Sequence, residues 1–511
     1  MSIARKILEN TFVQFGGKII TAVLSVFVLK MISGYLGTAG YGDYTTVYQY
    51  LAFFGIAADF GIFTITVKEM SKDAKKIPQI LGNVLGLRTA LALITMGLAA
   101  IVVFLIPSYS DTLIPMGVLI ATLATIFTLL NGTVSSVLQV YLKMQYATIG
   151  LIVGKIASVA YIAAVVYYLY VGKIDTGFEH LIWAGVVGNF VMFAITTYYA
   201  QRYSKITYCF DFSYWKKIFI TSLPYGVALV LNNIYFRLDV LLMTMILPHT
   251  KTLADGTTNC PATICGDTEA GLYGVGMRFL EMMIIIPVYY MNSVLPVMTR
   301  FLEEQSEKVK KIIQYSFDFL VATALPIMVG GYLLAVPIIR LISDEEFVSG
   351  SVYAYGSDIA VKFLMFAMFF SFINALFGFT LVVLNRQAQL MYINAACVLF
   401  NLVSNLIVIP YWGFRGAAAT SIICELLILF LTFMAVKRAL HFKLEYTTTW
   451  KTFLSAGIMG LVVSIGFYWM DGLWYIYQLA LLVPLGAVIY GVMMLLTNAI
   501  TPEMRELLKK K

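Results

Sequence analysis

The chain has 511 residues, of which 60% are hydrophobic and only 12% charged, and its mean hydropathy is +0.85. Soluble domains carry roughly twice that share of charge, so a soluble enzyme, a disordered chain and a nucleic-acid-binding protein are excluded and the class is integral membrane protein. The net charge of +8 then describes where Lys and Arg sit relative to a membrane, not a nucleic-acid partner.

Fourteen apolar segments follow one another, near 10–33, 42–66, 85–106, 113–138, 148–170, 180–200, 217–247, 270–298, 312–338, 359–383, 390–410, 414–436, 452–470 and 474–497. Each is long enough to span the hydrocarbon, which takes about 20 residues of helix. Lipid offers the backbone no hydrogen-bond partners, so each is predicted to be helical. The segments are continuous and do not alternate with polar residues, which argues against a β-barrel. The first lacks a cleavage site and carries Lys inside it, so no cleavable signal peptide is expected.

Placing the N-terminus in the cytoplasm puts 25 Lys and Arg on the cytoplasmic side, 4 on the other face and 6 within the segments. This bias sets the topology: both termini inside and an even number of spans. The expected fold is an all-α polytopic membrane protein with two six-helix lobes and an added helix pair. The lobes are 1–205 and 206–440, and 441–511 holds the last two helices and a basic tail, Pro502–Lys511, suited to the membrane surface. A short internal echo supports the two halves: Ala39-Gly40-Tyr41-Gly42 against Ala270-Gly271-Leu272-Tyr273-Gly274. Internal repeats of this kind are a transporter signature.

Ionisable residues inside spans are costly and mark function by default. The cations are Lys18, Lys30, Lys155, Arg237, Arg278 and Lys362; the acids are Asp59, Asp239, Glu281, Asp318 and Glu425. Lys30 and Lys362 lie close enough to span ends to snorkel. Lys18, Lys155, Arg237 and Arg278 lie deeper, and four deep cations from both halves point to an anionic substrate, with Arg suited to phosphate by its bidentate fork. The bland alternative is pairing: Arg278 with Glu281 three residues on, and Arg237 with Asn233. Asp59, Asp239, Glu281 and Glu425 are candidates for charge pairing or for a coupling proton or Na+. Gln14, Asn232, Asn233, Asn374, Asn394, Asn401 and Asn405 read first as glue between helices, and second as sugar contacts.

Cys260 and Cys265, in the longest outward loop, are expected to form a disulfide; Cys209, Cys397 and Cys424 read as structural. No metal site and no cofactor are expected. His180, His249 and His441 form no H-E-x-x-H pair, and neither a Walker A loop nor a G-x-S-x-G elbow occurs.

Several stretches resemble one family. Tyr35-Leu36-Gly37-Thr38-Ala39-Gly40-Tyr41-Gly42, with Gly55 and Asp59-Phe60-Gly61, is similar to the first two spans of polysaccharide-transport flippases of the MOP (multidrug/oligosaccharidyl-lipid/polysaccharide) exporter superfamily. Pro410-Tyr411-Trp412-Gly413-Phe414-Arg415-Gly416 looks like that family's turn between spans eleven and twelve, and Leu223-Pro224-Tyr225 with Arg237-Leu238-Asp239 looks like its span seven. The resemblance implies a Wzx-like O-antigen or repeat-unit flippase in the plasma membrane, and not an enzyme. Such proteins carry polyprenyl-(pyro)phosphate-linked oligosaccharides to the outer leaflet by alternating access, alongside a polymerase or glycosyltransferases of the same pathway. Lys18 and Arg278 occupy places broadly similar to the basic residues that lipid II flippases use. The alternatives are an ion-coupled drug or metabolite exporter of the same fold and a membrane-embedded glycan-assembly enzyme.

Overall fold

The computed structural model describes residues 3–59, 61–72, 74–250, 264–304, 307–470 and 472–499. The described residues are nearly all helical and contain no strand. In chain order the helices are α1 (Ile3–Asp59), α2 (Ile62–Lys72), α3 (Ile77–Phe104), α4 (Ile114–Val140), α5 (Met144–Ala164), α6 (Ile174–Ala200), α7 (Phe212–Ile246), α8 (Gly266–Glu303), α9 (Lys308–Leu333), α10 (Ala335–Ile342), α11 (Ser357–Val383), α12 (Gln387–Leu440), α13 (Thr447–Trp469) and α14 (Tyr475–Leu496). Eleven helices among the described residues are long and apolar enough to cross a membrane.

The two longest, α1 and α12, are each interrupted. Gly37 has φ 67° and ψ −173°, and Gly413 has φ 53° and ψ −136°. A positive φ with extended ψ is essentially reserved for glycine, so each glycine separates two of the apolar segments read from the sequence. Both lie inside the motifs that carried the family resemblance. A third break falls at Gly61, φ 69°, so the segment expected over 42–66 stops at Asp59 and continues as α2.

The third segment begins earlier than expected, at Ile77 instead of 85, because Pro78 occupies the first helical turn. Proline fits there since it lacks an N–H that would be unsatisfied in any case. This shift moves Arg88 from the rim of a span to its interior. At the start of α7, the Asp211 side chain accepts from the backbone N–H groups of Ser213 and Tyr214 at 3.0 and 3.1 Å, an N-cap.

The chain forms two compact units, residues 1–271 and 272–511. In the first, α4 and α5 both pack on α6, and α3 on α4. Ile62, Met70, Ile77, Leu81 and Val137 are among the residues of a fully buried apolar core. Here the two glycine-bearing stretches of the internal echo meet. A Cβ on Gly42 would lie 1.7 Å from the Asp267 carbonyl oxygen, and one on Gly271 would lie 2.0 Å from that of Thr38. Small residues on both partners let helix backbones approach this closely. In the second unit α11 packs on α12 and α9, α13 packs on α9 and α14, and Met459, Val463 and Leu482 pack beneath Leu334.

Candidate functional site

A cavity of about 370 Å³ opens within the first unit. Its polar lining consists of Tyr48, Asp59, Thr125, Thr128, Asn189 and Arg237, and Leu51, Ile56 and Leu129 are among its apolar lining residues. Ligand sites typically have this make-up: about 300–1,000 Å³, mostly apolar, with a few placed polar groups.

Two arginines define its electrostatics. Arg237 Nη1 donates to Gln49 Oε1 at 2.6 Å, and Gln49 is itself buried. This amide fixes the guanidinium at the wall and, being neutral, adds no charge of its own. Arg88 Nη2 donates to Asp59 Oδ1, and Arg88 Nη1 donates to Thr133 Oγ1 at 3.2 Å. The Arg88 side chain is 4% exposed and that of Asp59 34%, so the carboxylate sits at the wall with the cation behind it. The charged members of the described lining are thus Asp59, offset by Arg88, and Arg237.

The other expected site residues are distributed elsewhere. The Lys18 side chain is exposed on α1 and Lys155 is half-buried on α5; neither lines this cavity. Arg278 belongs to the second unit, where its Nη1 donates to Glu281 Oε2 at 3.0 Å, the pairing that their spacing offered. Asp239 is buried. Glu425 is buried and accepts from the Asn374 amide. Asn401 and Asn405 are fully buried on one helix face, with Asn405 Nδ2 donating to Asn401 Oδ1 at 3.2 Å. Asp318 accepts from the Gln314 amide at 3.2 Å, and Lys362 lies 3.8 Å from Asp358. The side chains of Asn232 and Asn233 are outside the described residues, as are the whole of Cys260 and the basic tail. Cys265 is disulfide-bonded, whereas Cys209, Cys397 and Cys424 are thiols. Among the described residues no three His, Cys, Asp or Glu side chains gather as a metal site.

Arg88 and Gln49 are the site residues that the sequence reading missed. Arg88 follows an uncharged stretch, Ile77–Leu87, opened by Pro78, which is the signal for a deeper position. Gln49 is a lone amide in an apolar run, as costly to bury as those that were noted.

Two family models match the chain. The model described as "Polysaccharide biosynthesis protein" covers residues 7–302, more than half of it. The chain belongs to the polysaccharide biosynthesis protein family. A second model, MatE, matches residues 259–407 of this family member. Its fold is that of the MOP superfamily. The lipid II flippase MurJ, in an inward closed conformation, superposes with a TM-score of 0.67 at 14% identity, covering 95% of this chain and 98% of that one. An inward-facing multidrug resistance MATE family transporter of the MOP superfamily gives 0.63 at 13% identity, over 84% and 98%. The Vibrio cholerae MATE transporter VcmN, in a mutant form, gives 0.54 at 16%, over 86% and 97%. No curated protein sequence matches the chain.

Proposed function

We propose that this polysaccharide biosynthesis protein is a flippase that moves a polyprenyl-(pyro)phosphate-linked oligosaccharide from the cytoplasmic to the outer leaflet of the plasma membrane. The proposal rests on the cavity of the first unit, where Arg237 is positioned by Gln49 beside Asn189, Thr125 and Thr128. A guanidinium at a cavity wall suits a phosphate through its planar fork of donors, and neutral amides and hydroxyls suit sugar hydroxyls. The family's description as a polysaccharide biosynthesis protein, and the fold shared with a lipid II flippase, support this reading.

The proposed chain crosses the membrane fourteen times with both termini in the cytoplasm. Its lobes at 1–205 and 206–440 alternate between two packings a few kcal/mol apart, and 441–511 adds the last helix pair. A phosphate headgroup cannot cross about 30 Å of hydrocarbon unaided; the cavity substitutes for its hydration while the prenyl tail stays in lipid. Lys18, Lys155 and Arg278 are proposed as further stations for the headgroup. A coupling proton or Na+ would find buried carboxylates in Asp239 and Glu425.

A second proposal, a cation-coupled drug exporter, draws on the MatE match and on the acid in the cavity wall. The pairing of Asp59 with Arg88 weighs against it, because it offsets the negative charge that a cationic drug would need. The test is transport in reconstituted vesicles loaded asymmetrically with a prenyl-diphosphate oligosaccharide. Protein-dependent appearance of the sugar on the opposite face, lost in Arg237→Ala, is the expected result. Equal transport by Arg237→Ala would remove the cavity from the mechanism.

A further inference from the structure

Behind the cavity wall, paired with the lining residue Asp59, lies a second arginine that the proposal above does not use. We infer that Arg88 is a second anion-binding group of this cavity, occupied in the ligand-free protein by the Asp59 carboxylate, which an incoming phosphate displaces. The inference rests on the flippase proposal and adds a residue and a step to it.

Three features of the pair support displacement over permanent structure. Asp59 lies between the cavity and Arg88: its side chain lines the cavity and is 34% exposed, whereas that of Arg88 is 4% exposed. An anion in the cavity therefore reaches Arg88 by taking the place of the carboxylate. Arg88 is also under-used. One of its nitrogens meets Asp59 and one meets Thr133, while its Nε is buried with no partner among the described residues. Guanidinium offers five donors in a planar fork, and a buried unpaired donor costs about 1–3 kcal/mol. A diphosphate has enough oxygens to engage Nη2 and Nε together, which the single oxygen contact from Asp59 does not.

The third feature is where Asp59 stands. It is the last residue of α1, and the C-terminal end of a helix carries partial negative charge that disfavours a carboxylate. The ion pair with Arg88 holds the acid against that field. Once a better anion takes the arginine, little else among the described contacts retains Asp59 there. Gly61, at φ 69°, opens the turn that follows. Asp59 thus acts as an internal stand-in for the substrate's phosphate, keeping a buried arginine neutralised until the headgroup arrives.

The test uses the full purified chain in detergent and reads thermal stabilisation against ligand concentration, each variant compared with its own unliganded midpoint. The probes are geranylgeranyl diphosphate and inorganic pyrophosphate. Asp59→Asn removes the competing charge and lowers the half-saturating concentration on the order of tenfold, the weight of one charge at a few ångströms. Asp59→Glu keeps the competitor and stays near wild type. Tightening with both probes assigns the site to the diphosphate itself, and tightening with the prenyl form alone assigns it to a lipid-borne headgroup; either supports displacement. Wild-type binding that Asp59→Asn leaves unchanged or weakens overturns the inference and leaves the flippase proposal standing. A wild-type chain that binds neither probe overturns both. If Asp59→Asn does not fold, Arg88→Lys decides. It keeps the charge but loses the fork, so binding weakens several-fold if Arg88 meets the anion, and unchanged binding overturns the inference.

Discussion

Gly42→Ala tests the close approach of α1 to the backbone at Asp267. The added Cβ would sit 1.7 Å from the Asp267 carbonyl oxygen and 2.6 Å from its carbon. Carbon–oxygen contacts settle near 3.3 Å, so the two helices must part by roughly 1.6 Å. The obstacle is backbone, and no side-chain rotamer relieves it. Overpacking of this kind costs about 3 kcal/mol, the upper end of the usual range. Alanine returns about 1 kcal/mol of helix propensity over glycine, so the net loss is about 2 kcal/mol. Gly97→Ala is the matched control: it lies within α3 with nothing inside 4 Å of its Cβ, and should gain up to about 1 kcal/mol. The assay is thermal unfolding in detergent followed by circular dichroism. The two variants are expected to shift the midpoint in opposite directions. A Gly42→Ala protein melting at or above wild type would rule out this close approach.

Other outcomes follow from named contacts. Gly37→Ala and Gly413→Ala each force a side chain into a glycine-only backbone conformation and should each cost about 1–3 kcal/mol, read as a lowered thermal midpoint. Asp211→Ala removes the N-cap of α7 and should cost about 1 kcal/mol, with Asp211→Asn close to neutral. Asn374→Ala strips the amide from the buried Glu425 and should cost about 1–3 kcal/mol; Glu425→Gln in that background should recover part of the loss. Gln49→Leu removes the amide oxygen to which Arg237 donates and should weaken prenyl-diphosphate binding less than Arg237→Ala does, both measured by thermal titration.

Local chemistry was legible in the sequence, and long-range pairing was not. The breaks at Gly37 and Gly413 fall between apolar segments that the sequence already separates, inside motifs quoted for the family resemblance. Arg278 and Glu281 were legible because three residues on a helix bring side chains onto one face. Arg237 and Gln49 are 188 positions apart, and nothing in either neighbourhood announces the other. Arg88 was misplaced for a local reason: Pro78 marked a start of α3 some eight residues earlier than hydropathy alone suggested. The echo between Ala39–Gly42 and Ala270–Gly274, read as a repeat, did not announce that Gly42 and Gly271 approach each other, a closeness that needs residues without a Cβ.

Whether the protein handles a lipid-linked sugar is decided most simply by a thermal titration of the purified chain. A polyprenyl-pyrophosphate-linked sugar is set against a hydrophobic cation of drug type. A ligand that binds only the folded state raises the midpoint as its concentration rises. A flippase is expected to be stabilised by the lipid-linked sugar, with the effect lost in Arg237→Ala, and not by the cation. Stabilisation by the cation alone would contradict the flippase proposal and favour the drug exporter.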